Sequence, residues 1–433
     1  MTVIDLGDLT EPTYQPPRRR RIVAGSRRWG AALLAVVVLV SMAGAAPPTP
    51  RVYATVPVPL GANLLLAADQ IFAVIPGTEV TDGHPELLAF PYPEKATGAP
   101  PTLTPSWRTR LAYGHRVFRA QPVAGGGVLV SMSAEETESS QSVLLDARTG
   151  QERWREPGVA MFDDPRRALL RTHRESAPNT LRMIELPSAR ELWSIPLSAS
   201  SVDYRLRDGV VDAIVVSTLD GGVEVRDPET GEVRHRLPPP ADDPAGYQSA
   251  WVVGDLVAVV RNSNTVAAYA VDGLVPLWQT TVPTIYHVTA CAALLCAFPA
   301  SGGVQVLDPA TGAAGWDNRN IADLLLVGAR RALVLSGWAE GTMELATFDM
   351  TTGALLIDHG SWEQVQRYEY APHLLAVRPV PDVGVVLARL HPDEDRARPI
   401  DVLVGARGEC QARHDLVACR RADGDFGVWR LPG

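Results

Sequence analysis

From about residue 52 to the C-terminus, short runs of alternating apolar and polar residues are separated by turn-forming residues. Val143 with Leu145, and Val304 with Val306, keep a spacing of two, the signature of a strand that buries one face. Further runs come in adjacent pairs, AWVVGD with LVAVVRN in 250–262 and ADLLLVGAR with RALVLSG in 322–337, as expected for hairpins. One stretch breaks the pattern. Trp29 to Ala46 reads WGAALLAVVVLVSMAGAA, and no charge follows before Arg51. At about 1.5 Å per residue such a segment covers roughly 27 Å, enough for one transmembrane helix over 29–46 that Pro47 and Pro48 end.

The alternation is periodic on a longer scale. SVLLDARTGQERW (142–154), GVEVRDPETGEVRH (222–235), GVQVLDPATGAAGW (303–316) and ELATFDMTTGALLI (344–357) share Asp-x-x-Thr-Gly. Their aspartates, Asp146, Asp227, Asp308 and Asp349, are 81, 81 and 41 residues apart, so the unit is about forty residues and two copies are hidden. Those fall where expected, as MIELPSARELW (183–193) and VAAYAVDGLVPLW (266–278), and degenerate copies stand at ELLAFPYP with Trp107 and at VVLARLHP before IDVLVGA. In each clear unit Asp accepts hydrogen bonds from its own turn, Thr149, Thr230, Thr311 or Thr352 reinforces it, and Gly150, Gly231, Gly312 or Gly353 supplies positive φ. Tryptophans recur after the turn at Trp154, Trp193, Trp278 and Trp316; His235 occupies the same station and is read as structural.

Four strands every forty residues cannot bury both sheet faces alone, but radial stacking of such sheets buries them all. The expected fold is all-β, a β-propeller of four-stranded blades preceded by the transmembrane helix. The stations fit eight or nine blades depending on how 60–107 and 358–408 divide, and seven to nine are compatible; eight is the expectation that the family resemblance given below implies. The C-terminal piece 409–432 supplies three strands, so the strand that closes the ring is expected from VYATVPVPL (52–60). The tryptophans are expected to dock between blades.

Asp-x-x-Thr-Gly-x-x-x-Trp resembles the repeat of pyrroloquinoline-quinone-like propellers, the family of BamB-type proteins and quinoprotein alcohol dehydrogenases, over residues 52–432. The arginine bias, the single span and the Cys-x₈-Cys hairpin before FGVWRLP are similar to membrane-anchored actinobacterial members. In the dehydrogenases the resemblance implies a quinone on the central axis against adjacent cysteines, with calcium beside it. This chain has no adjacent cysteines and no haem-attachment motif, so no cofactor is expected.

Charge sets the topology. Arg18 to Arg21, Arg27 and Arg28 oppose Asp5, Asp8 and Glu11, so residues 1–28 carry +3 and the rest of the −9 chain carries −12. The positive-inside rule makes 1–28 a cytoplasmic tail, 47–51 a linker and 52–433 an extracytoplasmic ectodomain on a single-pass anchor; secretion after signal cleavage is the alternative. An acidic ectodomain lacks the cationic surface that nucleic acid requires. Four cysteines form two local pairs, Cys291 with Cys296 and Cys410 with Cys419, expected to be disulfides across neighbouring strands rather than a zinc site, whose short spacings they lack.

Concentrated chemistry is missing from the pattern. Lys95 is the single lysine, which removes P-loop and Ser-x-x-Lys mechanisms, and no zincin, nucleophile-elbow, dinucleotide or EF-hand motif occurs. Gly125 to Gly127 is read as a strand-connecting turn, and Asp393-Glu394-Asp395 and Asp423 with Asp425 as solvated loop acids rather than calcium ligands. Catalytic and metal residues cannot be assigned. The expectation is a non-enzymatic binding or scaffold module for a protein, peptide or glycan on the loop face, held to the membrane by one helix. The alternative is an exported quinone- or metal-dependent oxidoreductase, hydrolase or lyase with a site at the central channel.

Overall fold

The alternating runs become thirty-five strands in the described residues. This computed structural model describes 52–431 apart from 68, 79–80, 94–98, 135–138, 165, 173–178, 240–247, 340–341 and 366–371. The expected tail, helix and linker (1–28, 29–46, 47–51) lie outside the described residues, and among the described residues no helix is long and apolar enough to cross a membrane. Contacts gather 50–433 into one unit.

Each repeat folds as an antiparallel meander. There are seven four-stranded sheets and one of seven strands. The seven-stranded sheet bends within Leu355–Gln364: its residues 355–362 pair with Thr342–Asp349, whereas Glu363 and Gln364 pair with Val377 and Ala376 of the next strand. It therefore packs as two blades. Numbered along the chain, the blades are 1 (63–110), 2 (115–157), 3 (159–196), 4 (199–237), 5 (248–281), 6 (285–318), 7 (323–362), 8 (363–404) and 9 (406–430 with 52–56).

Nine buried clusters match these nine blades, each drawn from two neighbours. Leu333 and Leu345 of blade 7 meet Ala376 and Ala388 of blade 8, Val377 of blade 8 meets Cys410 and Trp429 of blade 9, and Ala418 and Val428 of blade 9 meet Leu64 and Phe90 of blade 1. The cycle closes. The expectation of eight blades is thus met in hydrogen-bonded sheets but corrected to nine in packing. Its physical reason is local: no turn separates the last strand of blade 7 from the first of blade 8, so 358–408 gives no punctuation to count.

Closure uses the strand expected for it. Val52–Val56 pairs with Phe426–Arg430, Ala54 opposite Val428 and Val56 opposite Phe426. Its outer edge is covered as well: the Thr55 N–H donates to the Pro101 carbonyl (2.9 Å) and the Leu103 N–H donates to the Thr55 carbonyl (2.8 Å). A loop of blade 1 thereby clamps the closing strand of blade 9. Edge strands invite unwanted pairing, and this one has partners on both sides.

Candidate functional site

The Asp-x-x-Thr-Gly turns connect third and fourth strands at one end of the wheel, beside the hairpins joining first and second strands. Asp146 Oδ1 accepts the N–H groups of Arg148 (3.1 Å) and Thr149 (2.9 Å) and the Thr149 hydroxyl (3.0 Å); Asp308 and Asp349 repeat this set with Thr311 and Thr352. Asp227 takes the N–H groups of Glu229 and Thr230, without a bond from the Thr230 hydroxyl. Gly150, Gly231, Gly312 and Gly353 sit at φ near +70° and donate back to their aspartate carbonyls at 2.8 Å. The Arg153 guanidinium, then the Thr149 hydroxyl, hold the Asp146 carboxyl down at about 2.

Each turn receives a tryptophan from the blade before it. The indole N–H groups of Trp107, Trp154, Trp193, Trp278 and Trp316 donate to the carbonyls of Ala147, Leu186, Pro228, Pro309 and Met350 at 2.7–3.0 Å. The rings of Trp107, Trp193, Trp278 and Trp316 lie over the four repeat glycines. His235 at the equivalent place is exposed, and Leu274 replaces the glycine of the next turn. Blades 4 and 5 are joined there by Arg205, 5% exposed at its side chain, which donates to Asp212 of blade 4 and to Asp255 and Asp272 of blade 5. The repeat residues are therefore spread around the ring, one set per interface, and do not converge on one pocket.

Both cysteine pairs are bonded within hairpins. Cys410 and Cys419 face each other with Cα atoms 4.1 Å apart. Cys291 and Cys296 are instead a diagonal pair at 5.7 Å, because Cys291 is opposite Leu294 and Cys296 opposite Thr289. A directly opposed pair flanking the two-residue turn would have required positions 291 and 294. With all four thiols committed to these bridges, the vicinal disulfide that seats a quinone cannot form. Among the described residues no group of three or more His, Cys, Asp or Glu is placed to hold a metal ion. The chain's cysteines do not fit the quinone.

What does converge lies on the first strands of blades 4 to 7. His287 of blade 6 stands edge-on to Trp251 of blade 5 (5.6 Å between centroids) and against Phe298 (6.0 Å), with Tyr286 beside it. Burial lowers the His287 pKa, and Asp323 and Asp203 push it back up. Asp203 uses both oxygens, accepting from the N–H groups of Tyr204 (2.8 Å) and Val252 (2.7 Å). Among the described residues Asp323 accepts from the Leu324 N–H alone (2.8 Å).

Asp323 and His287 border a cavity of 570 Å³ that reaches His391, Pro392 and Asp393 of blade 8, walled by Leu324 to Val327. Its volume is in the range of ligand sites. The Asp393 N–H donates to His391 Nδ1 (3.1 Å), so neutral His391 carries its proton on Nε2. The Asp393 carboxylate hangs over Gly328, where a Cβ would approach it to 3.1 Å.

Several acids of the turns are held by arginines, Asp146 by Arg153, Asp227 by Arg234, Asp395 by Arg331 and Glu394 by Arg398, whereas Asp308 and Asp349 have no such ion pair among the described residues. Among the described residues neither Asp323 nor Asp393 has an arginine partner. The loop acids 393–395 and Asp423 thus divide. Glu394, Asp395 and Asp423 are in ion pairs, Asp423 with Arg421 at 3.0 Å, while Asp393 faces a cavity. Sequence reasoning passed over His287, Asp323 and His391, because each is isolated in sequence and they meet only through the radial arrangement of blades.

No curated protein matches the sequence. Among solved structures, BamB from Moraxella catarrhalis is 13% identical, covering 88% of this chain and 98% of its own with a TM-score of 0.41. Sqt1 of Saccharomyces cerevisiae is 12% identical (89% and 97%, TM-score 0.46), and the computationally designed Ika8 protein 14% identical (73% and 97%, TM-score 0.47). Residues 99–318, just over half of the chain, match the family model described as outer membrane protein assembly factor BamB, and the chain belongs to that family.

Proposed function

We propose that this propeller is a protein-binding scaffold, hung outside the cell from the 29–46 span, that takes a basic extended segment of its partner in the cavity between blades 6, 7 and 8. The observation that carries the reading is the pair of carboxylates, Asp323 and Asp393, left without arginine partners among the described residues beside an apolar wall. A lysine or arginine stem lies well on Leu325 and Val327 while its head reaches one acid, and a second basic residue of the extended segment serves the other. Membership in a family described by an assembly factor supports a role in holding other proteins. No observation favours a catalytic reading.

The test is photocrosslinking in intact membranes from position Val327 of the full-length chain. A discrete protein adduct that disappears in Asp323→Asn/Asp393→Asn supports the proposal. An adduct pattern unchanged by the double substitution, or none at all, refutes it. Topology is read separately: an N-terminal tag shielded from protease in spheroplasts, with the propeller accessible, is the expected result.

A further inference from the structure

A second cavity, of 490 Å³, opens between blades 1 and 2, at the end of the wheel opposite the Asp-x-x-Thr-Gly turns. Tyr113 lies at its edge, and 69% of this residue is exposed. The ring is nevertheless fixed. One side rests on Gly83, where a Cβ would come within 2.5 Å of the ring and where φ is +72°, so only glycine fits. His84 meets the ring edge-on at 5.5 Å and is itself anchored by donating from Nδ1 to the Leu111 carbonyl at 2.9 Å. An immobilised aromatic face turned to solvent forfeits apolar burial unless something covers it.

The polar groups around it are open. Arg116 and Asn63, both exposed, line the cavity and have no hydrogen-bond or ion-pair partner among the described residues. His115 donates from Nδ1 to the Tyr113 carbonyl (2.8 Å), since a carbonyl can only accept, and this leaves Nε2 as an acceptor in the neutral ring. The cavity therefore offers a flat aromatic platform, a planar amide, an acceptor nitrogen and an unpaired guanidinium. Its floor of glycine backbone admits close approach.

These groups complement a pyranose ring. Its C–H face stacks on an aromatic face of negative potential, its hydroxyls bond Asn63 and His115, and a carboxylate matches Arg116 in bidentate fashion. We propose that this cavity is a subsite for an acidic glycan, one bearing uronic-acid residues. It is separate from the cavity of blades 6 to 8 and does not rest on the peptide-binding reading.

The experiment titrates the full chain, held in a detergent without a sugar headgroup, with tetragalacturonate and with neutral maltotetraose, followed by saturation-transfer NMR and calorimetry. Tetragalacturonate is expected to bind at least tenfold more tightly than maltotetraose. Tyr113→Ala is expected to weaken both by tenfold or more. Arg116→Gln is expected to reduce the acidic sugar to the level of the neutral one and to leave the neutral one unchanged. Both side chains are exposed, so the variants retain the wild-type circular dichroism. Failure of the wild type to bind tetragalacturonate at millimolar concentration overturns the proposal, as does binding that Tyr113→Ala leaves intact. Equal affinity for the two sugars overturns the assignment of Arg116.

Discussion

The indole of Trp193 lies on Gly231 of the following blade, where a Cβ would stand 2.7 Å from ring atom Cδ2. The same indole donates to the Pro228 carbonyl at 2.9 Å, so one residue fills an interface and satisfies a turn. Trp193→Ala removes a nearly buried ring and its hydrogen bond, and is expected to destabilise the propeller by about 3–5 kcal/mol. Gly231→Ala attacks the other side. It adds roughly 1–2 kcal/mol of left-handed strain to the clash with the ring. Chemical denaturation of each variant and of the pair checks this, and the double variant is expected to lose less than the sum because both disrupt one contact.

Where the tryptophan is missing, ion pairs take over. Arg205 is buried at the blade 4–5 interface and donates to Asp212 at 2.8 Å and Asp272 at 2.9 Å. Asp212, then Asp272, outweigh the burial that alone would lower its pKa, and the guanidinium stays charged. Arg205→Met keeps the apolar stem but leaves the Asp212, Asp255 and Asp272 carboxylates with only the more exposed Arg207 as their shared cation. A loss of about 2–4 kcal/mol is expected, with recovery when Asp212→Asn is added. Urea unfolding of the three proteins measures it.

The repeat residues show how far sequence carries. Asp146, Gly150 and Trp154 act through their own turn or the adjacent blade, so spacing alone exposed the turn chemistry, the blades and the closing strand at 52–56. The ninth blade was not countable, since Leu355–Gln364 runs from one blade to the next without a turn residue. His287, Asp323 and Asp393 were invisible as a group for a different reason. They line one cavity only because blades 6, 7 and 8 pack side by side, and none stands in a local pattern. Asp393 stands in an acidic loop run whose sequence looks uniformly solvated, and only the structure separates it from Glu394 and Asp395, which are in ion pairs.

His287 makes stability depend on pH. Burial holds its pKa below the ordinary 6.5, against the opposing charges of Asp323 and Asp203. The unfolded chain therefore binds this proton at higher pH than the folded one. The contribution to stability is present above 6.5 and is lost as pH falls through 6.5 toward the lower folded value. His359 is shifted downward by burial as well, so His287→Phe is expected to remove part of the slope and not all of it. Thermal midpoints at pH 7.5 and 5.5 should converge in the variant relative to wild type, and an unchanged difference would sink the assignment.

Glu363 works in the opposite sense at the junction of blades 8 and 9. Its Oε1 accepts the Glu409 N–H at 2.6 Å, while its Oε2 lies where a Cβ on Gly408 would be, 2.6 Å away. Burial pushes its pKa above the ordinary 4.5; the Glu409 N–H pulls it down and the Glu409 charge pushes it up. A carboxyl with a raised folded pKa favours the folded state at pH below 4.5, and that contribution disappears as pH rises through the folded value. At neutral pH the buried charge is a net cost. Glu363→Gln keeps an oxygen for the Glu409 N–H and removes the charge, so it is expected to raise the thermal midpoint at pH 7 and to change little at pH 4. Glu363→Ala, which leaves the Glu409 N–H without its partner, is expected to lower the midpoint at both, the lost hydrogen bond costing about 1–2 kcal/mol. If the glutamine variant instead melted lower at pH 7, the charge would be stabilising the seam between the last two blades.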